Sequence, residues 1–124
     1  MDDQTSKVRR VTFANPPHNL IGADTVAELL DIVDRLSGEE QASVVIFDSA
    51  TPGFFLNHVD SDQIPAIADM AGSGPLPEFV ELGVRLAAAP FVSIASIRGR
   101  ARGGGAKYTA AFGLRYASRE QAIF

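Results

Sequence analysis

The sequence predicts a single α/β domain over its 124 residues, with strands and helices alternating along the chain. Between Val26 and Leu36, apolar residues recur at the i, i+3, i+4, i+7 spacing of a helix with one buried face. Two largely apolar runs, Val44–Phe47 and Phe91–Ile97, are typical of strands that are covered on both faces. A glycine-rich segment follows the second run and leads into another helical pattern.

The first half of the chain is predicted to begin with a strand that ends at two prolines, since proline has no N–H to give to a sheet. Asp24 is the predicted N-cap of the first helix, and Ser37-Gly38 is its predicted end. The elements expected here are a strand over 7–14, a helix over 24–36, strands over 43–48 and 54–56, and a helical turn over 64–70.

The second half is predicted to begin with a mobile loop over 71–75, because Ala-Gly-Ser-Gly-Pro favours irregular backbone. Pro77 suits a helix start and Pro90 the region beyond a helix end. Gly113 is the predicted C-cap of the last helix. The expected elements are helices over 77–88 and 104–112 and strands over 91–97, 114–117 and 122–124.

Composition excludes several classes of function. A net charge of -4 disfavours general attraction to nucleic acid or to anionic membranes. With no cysteine and two histidines, disulfides, thiol nucleophiles and thiolate metal sites are excluded and a histidine metal site is not expected. Residues 1–10 are polar, unlike a signal peptide, and the longest apolar stretch, 86–97, falls short of the roughly 20 residues that span a bilayer. We therefore expect a cytoplasmic protein.

The glycine-rich segment, 97–106, carries the strongest local indication of a site. Three consecutive glycines, 103–105, permit positive φ and let a ligand approach the backbone closely. Free N–H groups at the start of the following helix favour an anion or a developing oxyanion. A glycine turn required only for packing explains the same residues equally well. The spacing matches neither a Walker loop nor a dinucleotide fingerprint.

A second segment, Phe54–Asp60, is an apolar strand that breaks into a polar turn. His58 is a candidate proton carrier, although a lone histidine after a strand is more often simply packed or solvated. No nucleophile elbow accompanies it, so a Ser/His/Asp arrangement is not indicated. Asp60 and Asp62 are interpreted as helix-start residues rather than as catalytic acids.

In their order and separation, these segments resemble the enoyl-CoA hydratase/isomerase (crotonase) family. The resemblance rests on five stretches of sequence and extends from Val8 to near the end of the chain. They are Val11–Asn19, Val44–Phe47, Phe55–Asp60, Ala89–Gly105 and Leu114–Ser118.

The resemblance implies a crotonase-like spiral of ββα units that ends before the C-terminal helical region of the family. It implies binding of a coenzyme A thioester as substrate, with no covalently bound cofactor, and hydration of a 2-enoyl-CoA through an enolate. It also implies a homo-oligomer, a trimer or hexamer in the family, without nucleic acid or membrane partners. Because the closing helices are expected to lie outside this chain, we expect exposed apolar surface and self-association.

By position, the resemblance assigns the oxyanion-binding backbone N–H groups to Val59 and Gly104. It places Lys107 where hydratases of the family carry a catalytic glutamate, and a second catalytic glutamate beyond Phe124. A lysine cation cannot accept a proton from an attacking water. The resemblance assigns coenzyme A binding to six residues: Phe55, Asn57, His58, Asp60, Arg102 and Gly103.

Two questions remain open from the sequence. Arg98, Arg100 and Arg102 either attract coenzyme A phosphates or form a solvated surface or subunit contact. The chain itself is either a hydratase-type enzyme, a catalytically silent acyl-CoA-binding protein, or an isomerase, hydrolase or decarboxylase that carries its acid/base elsewhere.

Overall fold

The protein, described here from a computed structural model, has one four-stranded parallel sheet with helices in the connections; the structure describes residues 7–70 and 77–124. The predicted mobile loop, 71–75, lies outside the described residues. The strands are β1 (Val8–Phe13), β2 (Val44–Ser49), β3 (Val92–Ile97) and β4 (Leu114–Ala117). The helices are α1 (Ala23–Ser37), α2 (Ile64–Ala68), α3 (Glu78–Ala88) and α4 (Gly104–Thr109).

The order of the strands in the sheet is the order of the strands in the chain, β1-β2-β3-β4. Val8 pairs with Val44, Val44 with Val92, and Ile94 with Leu114, all in parallel. Each crossover contains at least one helix, as parallel strand pairs require. The carboxyl ends of β1, β2 and β3 therefore lie at one edge of the sheet, and the segments that follow them meet there.

The core lies between the sheet and the two longer helices. α1 buries the stripe Val26, Leu29, Leu30 and Val33, which the sequence spacing predicts, and α3 buries Leu82 and Leu86. Aromatic rings fill the space next to the sheet, where Phe47 packs edge-to-face against Phe112 with the ring centroids 5.0 Å apart.

The prediction that β2 and β3 are covered on both faces is wrong for this chain. In β2, Val45 and Phe47 are buried and the residues between them are only partly buried; β3 also alternates, with Ser93, Ala95 and Ile97 buried. One face of the sheet packs on helices, and the other face is only partly covered by the described residues.

Several predicted element boundaries also need correction. The N-cap of α1 is Gly22, whose N–H donates to Thr25 Oγ1 at 3.2 Å, and Asp24 lies within the first turn. α4 ends at Thr109 with Ala110 as its C-cap. Gly113 instead donates its N–H to Ser93 Oγ at 2.9 Å, which ties the start of β4 to β3.

The two short strands predicted at 54–56 and 122–124 are reduced to single parallel bridges. Phe54 pairs with Arg100, and Arg100 pairs with Ile123. Each of the three segments therefore contributes one residue to this pairing. The remaining elements agree with the predictions to within two residues at each end.

Candidate functional site: the segment 57–60 and the glycine loop

The candidate site lies where the segment after Leu56 meets the start of α4. Gly105 donates its N–H to the Asn57 carbonyl at 2.9 Å. A Cβ on Gly105 would overlap the backbone of Leu56 and Asn57, so only glycine allows this contact. The two segments that the sequence singled out separately are therefore in direct backbone contact.

Val59 lies in a parallel bridge with Ile21. Ile21 donates its N–H to His58 O and accepts from Asp60 N–H, each at 2.9 Å. Since these bonds use the neighbours of Val59, the N–H of Val59 itself points away from the segment of Ile21. Within residues 7–70 and 77–124, that N–H has no hydrogen-bond acceptor.

Gly104 is the first residue of α4, and its N–H likewise has no acceptor in the described part of the chain. A Cβ on Gly104 would lie 3.0 Å from Val59 Cγ2 and 3.1 Å from Phe79 Cζ. Val59 and Gly104 are therefore neighbours, and the two unpaired N–H groups belong to residues in contact. The apolar side chains of Val59 and Phe79 cover the glycine closely.

The predicted ligand-binding residues occupy different environments. Phe55 is fully buried, and its ring packs against Phe13 with the centroids 5.1 Å apart. Asn57 is buried, with its amide donating to His18 O at 3.2 Å, while its Oδ1 has no partner among the described residues. His58 is exposed, and its ring lies against the α-carbon of Gly103.

The other three predicted ligand-binding residues, Asp60, Arg102 and Gly103, differ in role. Asp60 Oδ1 accepts from Asp62 N–H at 3.0 Å and caps a short 3-10 helix, Ser61–Gln63, as its helix-start interpretation predicts. Arg102 is exposed beside Gly103. Gly103 has φ 57°, a conformation that glycine adopts with little strain.

Lys107 lies one helical turn after Gly104 and is exposed. Within residues 7–70 and 77–124, no carboxylate forms an ion pair with it. Its side chain is therefore an amine on the first turn of α4, where the resemblance implies a carboxylate.

The three arginines around the glycine loop have different neighbours among the described residues. The Arg100 guanidinium lies over the Phe54 ring, 5.5 Å from the centroid, which is a structural contact. Arg98 lies close enough to Asp48 for its charge to act on that carboxylate. Burial raises the pKa of Asp48, but hydrogen bonds from Arg10 and Thr12, together with the charges of Arg10 and Arg98, lower it overall.

A separate cleft of about 590 Å³ opens between the end of β1, α1 and the Asp60 turn. Val59 and Gly104 do not line it. Its lining includes the carboxylates of Asp24, Glu28 and Asp60 and, among the described residues, no lysine or arginine. A cleft of this charge disfavours a phosphate-bearing ligand.

Asn19 is the residue of this region to which sequence reasoning assigned no role of its own. It is 1% exposed, has φ 51°, and uses both ends of its amide in hydrogen bonds. The sequence does contain an indication of a turn here. Asn19 follows Asn15 by four residues, with two prolines between them, and asparagine tolerates the left-handed conformation that tight turns require.

Within the described residues, no helix is both long enough and apolar enough to cross a membrane. The prediction of a cytoplasmic location remains a prediction.

Comparison with known proteins identifies the family of this chain. The family model described as enoyl-CoA hydratase/isomerase matches residues 3–124. Ethylmalonyl-CoA decarboxylase of Danio rerio is 31% identical over 123 residues, which cover 97% of this chain and 40% of that protein. Enoyl-CoA hydratase domain-containing protein 2, mitochondrial, of Mus musculus is 31% identical over 100 residues, 81% of this chain and 34% of that protein. The chain thus spans well under half the length of these curated relatives.

Solved structures show the same likeness. A candidate enoyl-CoA hydratase from Streptomyces avermitilis superposes with a TM-score of 0.80 at 35% identity, over 91% of this chain and 43% of that one. An enoyl-CoA hydratase/isomerase family protein from Silicibacter pomeroyi, at 24% identity, supports the fold with a TM-score of 0.81 over 94% of this chain and 50% of that one. The predicted crotonase-like α/β fold is confirmed. The chain belongs to the enoyl-CoA hydratase/isomerase family.

Proposed function

We propose that this chain binds an acyl-CoA thioester and holds the thioester carbonyl between the backbone N–H groups of Val59 and Gly104. The observation that carries the proposal is that these two residues touch while neither N–H has an acceptor in the described chain. Two such donors stabilise the negative charge that develops as the thioester becomes an enolate. Coenzyme A enters as part of the substrate and not as a resident cofactor.

The reaction that follows enolate formation depends on the proton carrier. Hydration, the family reaction, needs a group that removes a proton from water, and position 107 holds a lysine instead of a carboxylate. We therefore expect the chain to bind a 2-enoyl-CoA but to hydrate it poorly. A catalytically silent acyl-CoA-binding protein is consistent with the same site.

Decarboxylation is a second candidate, favoured by Lys107 together with the 31% identity to a protein named ethylmalonyl-CoA decarboxylase. When a malonyl-type thioester loses CO₂, the electron pair of the broken C–C bond becomes the enolate directly. No base has to remove a proton first, and the enolate is protonated afterwards. His58, exposed beside Gly103, is a candidate donor for that protonation.

The donor assignment is tested with Val59→Pro, which removes the N–H, and with Val59→Ala as the matched control, which keeps it. The probe is crotonyl-CoA labelled with ¹³C at its carbonyl, followed by infrared difference spectroscopy. We expect binding to lower the carbonyl stretching frequency with the unchanged chain and with Val59→Ala, and the shift to be mostly lost in Val59→Pro. Equal shifts in both variants, or a bound thioester with an unshifted carbonyl, contradict the proposal.

A further inference from the structure

Asn19 holds part of the backbone that precedes Val59, through its side chain and through its main-chain carbonyl. Its Nδ2 group donates to the Phe55 carbonyl at 2.8 Å, and its main-chain carbonyl accepts from Asn57 N–H at 3.1 Å. Asn19 therefore holds the chain on both sides of Leu56. Two residues later, Ile21 bonds to His58 and Asp60, so the segment 19–21 sets the path of the chain through Val59.

The Asn19 side chain makes two further hydrogen bonds that fix its position. Its Nδ2 also donates to Ser49 Oγ at 2.7 Å, and its Oδ1 accepts from Asn15 N–H at 2.8 Å. Ser49 is the last residue of β2, so the anchor ties the segment to the end of the sheet. With 1% of its surface exposed, Asn19 makes these bonds away from competing water.

The hydrogen bonds continue from Asn19 into the glycine loop. Asn57, whose N–H donates to Asn19, accepts at its own carbonyl from Gly105 N–H at 2.9 Å. This links the turn at Asn19, the segment of Val59 and the helix of Gly104 through consecutive backbone bonds. A shift of Asn19 would therefore change the position of both donor residues relative to each other.

The backbone of Asn19 lies in the left-handed region, at φ 51°, which asparagine tolerates better than most residues with a side chain. The hydrogen bonds of its amide hold the residue in this conformation.

We infer that Asn19 is the positioning residue of the oxyanion-binding pair, which fixes the N–H of Val59 relative to that of Gly104. The inference rests on the proposed function, because it presumes that these two N–H groups bind a thioester carbonyl. Asn19 does not itself touch the carbonyl in this scheme. Its effect on the substrate is transmitted through Phe55 and Asn57.

The test uses Asn19→Gly, which retains the left-handed backbone and removes every side-chain hydrogen bond. Its matched control is Val33→Ala, which opens a cavity at a core residue of α1 that is 1% exposed and lowers stability without contacting the site. Each variant of the 124-residue chain is mixed with crotonyl-CoA carrying a ¹³C carbonyl. The carbonyl stretching frequency and the dissociation constant are then measured together.

We expect Asn19→Gly to lose most of the carbonyl shift while Val33→Ala keeps it, since loss of stability alone does not move the frequency of a bound carbonyl. An unchanged shift in folded Asn19→Gly overturns the inference and leaves the proposed function intact. No shift with the unchanged chain overturns both. If Asn19→Gly does not fold, Ser49→Ala decides, because it removes one acceptor of the Asn19 amide: a reduced shift supports the inference and a full shift overturns it.

Discussion

Gly105 lies directly against the carbonyl group of Leu56, with no space for a side chain between them. The contact joins α4 to the segment that leads into Val59, and it makes Gly105 the most restrictive of the three consecutive glycines. The three atoms nearest to a Cβ on Gly103 belong instead to the movable ring of His58, and φ 57° is what favours glycine at that position.

Gly105→Ala should therefore destabilise the protein by about 3 kcal/mol, because the new methyl group has to displace main chain rather than a flexible side chain. Gly83→Ala is the matched control. Gly83 lies inside α3, where a Cβ would be 3.9 Å from the Tyr108 ring, and alanine there should stabilise the helix by up to about 1 kcal/mol. Urea unfolding of both variants measures the two effects. Equal unfolding midpoints would show that α4 can move away from Leu56 without loss of stability.

We expect the residue at position 107 to decide whether the chain can hydrate an enoyl-CoA. With lysine, the chain should show negligible hydration of crotonyl-CoA, and Lys107→Glu alone should restore little, since the resemblance places the second glutamate beyond Phe124. In a chain extended to the length of the family, the same substitution should raise the rate by about 10²–10⁴-fold, the usual contribution of a positioned acid/base.

The measurement is the loss of crotonyl-CoA absorbance with four proteins, the short and extended chains each with lysine or glutamate at 107. Lys107→Ala in the extended chain is the control for simple removal of the positive charge. Hydration by the unsubstituted short chain at the rate of the extended glutamate protein would mean that another group, with His58 the nearest, carries the proton.

Asp48 should make stability depend on pH in the acid range. Its hydrogen bonds from Arg10 and Thr12 lower its folded pKa below the usual value near ~3.9. The carboxylate therefore stabilises the fold above that pH, and the contribution is lost as the pH falls through the folded pKa.

Asp48→Asn should consequently lower the free energy of unfolding by about 1 kcal/mol at pH 7, since Arg10 is largely exposed and water weakens the pair. The difference should shrink as the pH falls below ~3.9 and through the folded pKa. The control is Asp31→Asn, which removes the exposed pair of Asp31 with Arg35 and should change stability little at either pH. A difference for Asp48→Asn that stays constant from pH 7 to pH 3 would rule out this linkage.

Tyr108 packs against Phe79 beside the site, with the ring centroids 5.0 Å apart, and donates its hydroxyl to the Phe79 carbonyl at 2.6 Å. Burial raises the pKa of the hydroxyl, so it stays a neutral donor at physiological pH. Tyr108→Phe should cost about 1 kcal/mol of stability through the lost hydrogen bond and keep the ring packing. Thermal unfolding measures this loss. The control is Tyr116→Phe at an exposed tyrosine, and an equal change of stability in both variants would contradict the prediction.

Self-association should involve β4. Among the described strands it lies at the edge of the sheet, all four of its residues are exposed, and they include Leu114 and Tyr116. Exposed edge strands with apolar side chains pair readily with other chains. Tyr116→Lys should shift the sedimentation profile towards the monomer, whereas Arg119→Lys, a change at another exposed residue, should not. A monomeric unchanged chain at high concentration would refute the prediction.

The parts of the fold that the sequence predicted well are those governed by local pattern. α1 follows from five apolar residues on one face, and β2 follows from a run of β-branched and aromatic residues. The expected strands at 54–56 and 122–124 depended instead on distant pairing. Each of these two segments forms one bridge, to Arg100. A run of three apolar residues therefore predicted a longer strand than the structure shows.

The candidate site divides in the same way. The glycine loop and the turn after Phe55 could be identified from composition, and their contact was implied by the family resemblance. The function of Asn19 could not be derived from the sequence, because its partners Ser49, Phe55 and Asn57 are 30 to 38 residues away. Hydrogen bonds of that range become visible only when the strands have been placed.

The strand order β1-β2-β3-β4 also has a consequence for synthesis on the ribosome. From β2 onward, each strand can pair at once with the strand before it, which has already been translated. The sheet can grow at a single advancing edge while the chain emerges, one crossover at a time. The edge to which the next strand is added is then always the most recently made strand, while β1 stays at the opposite edge.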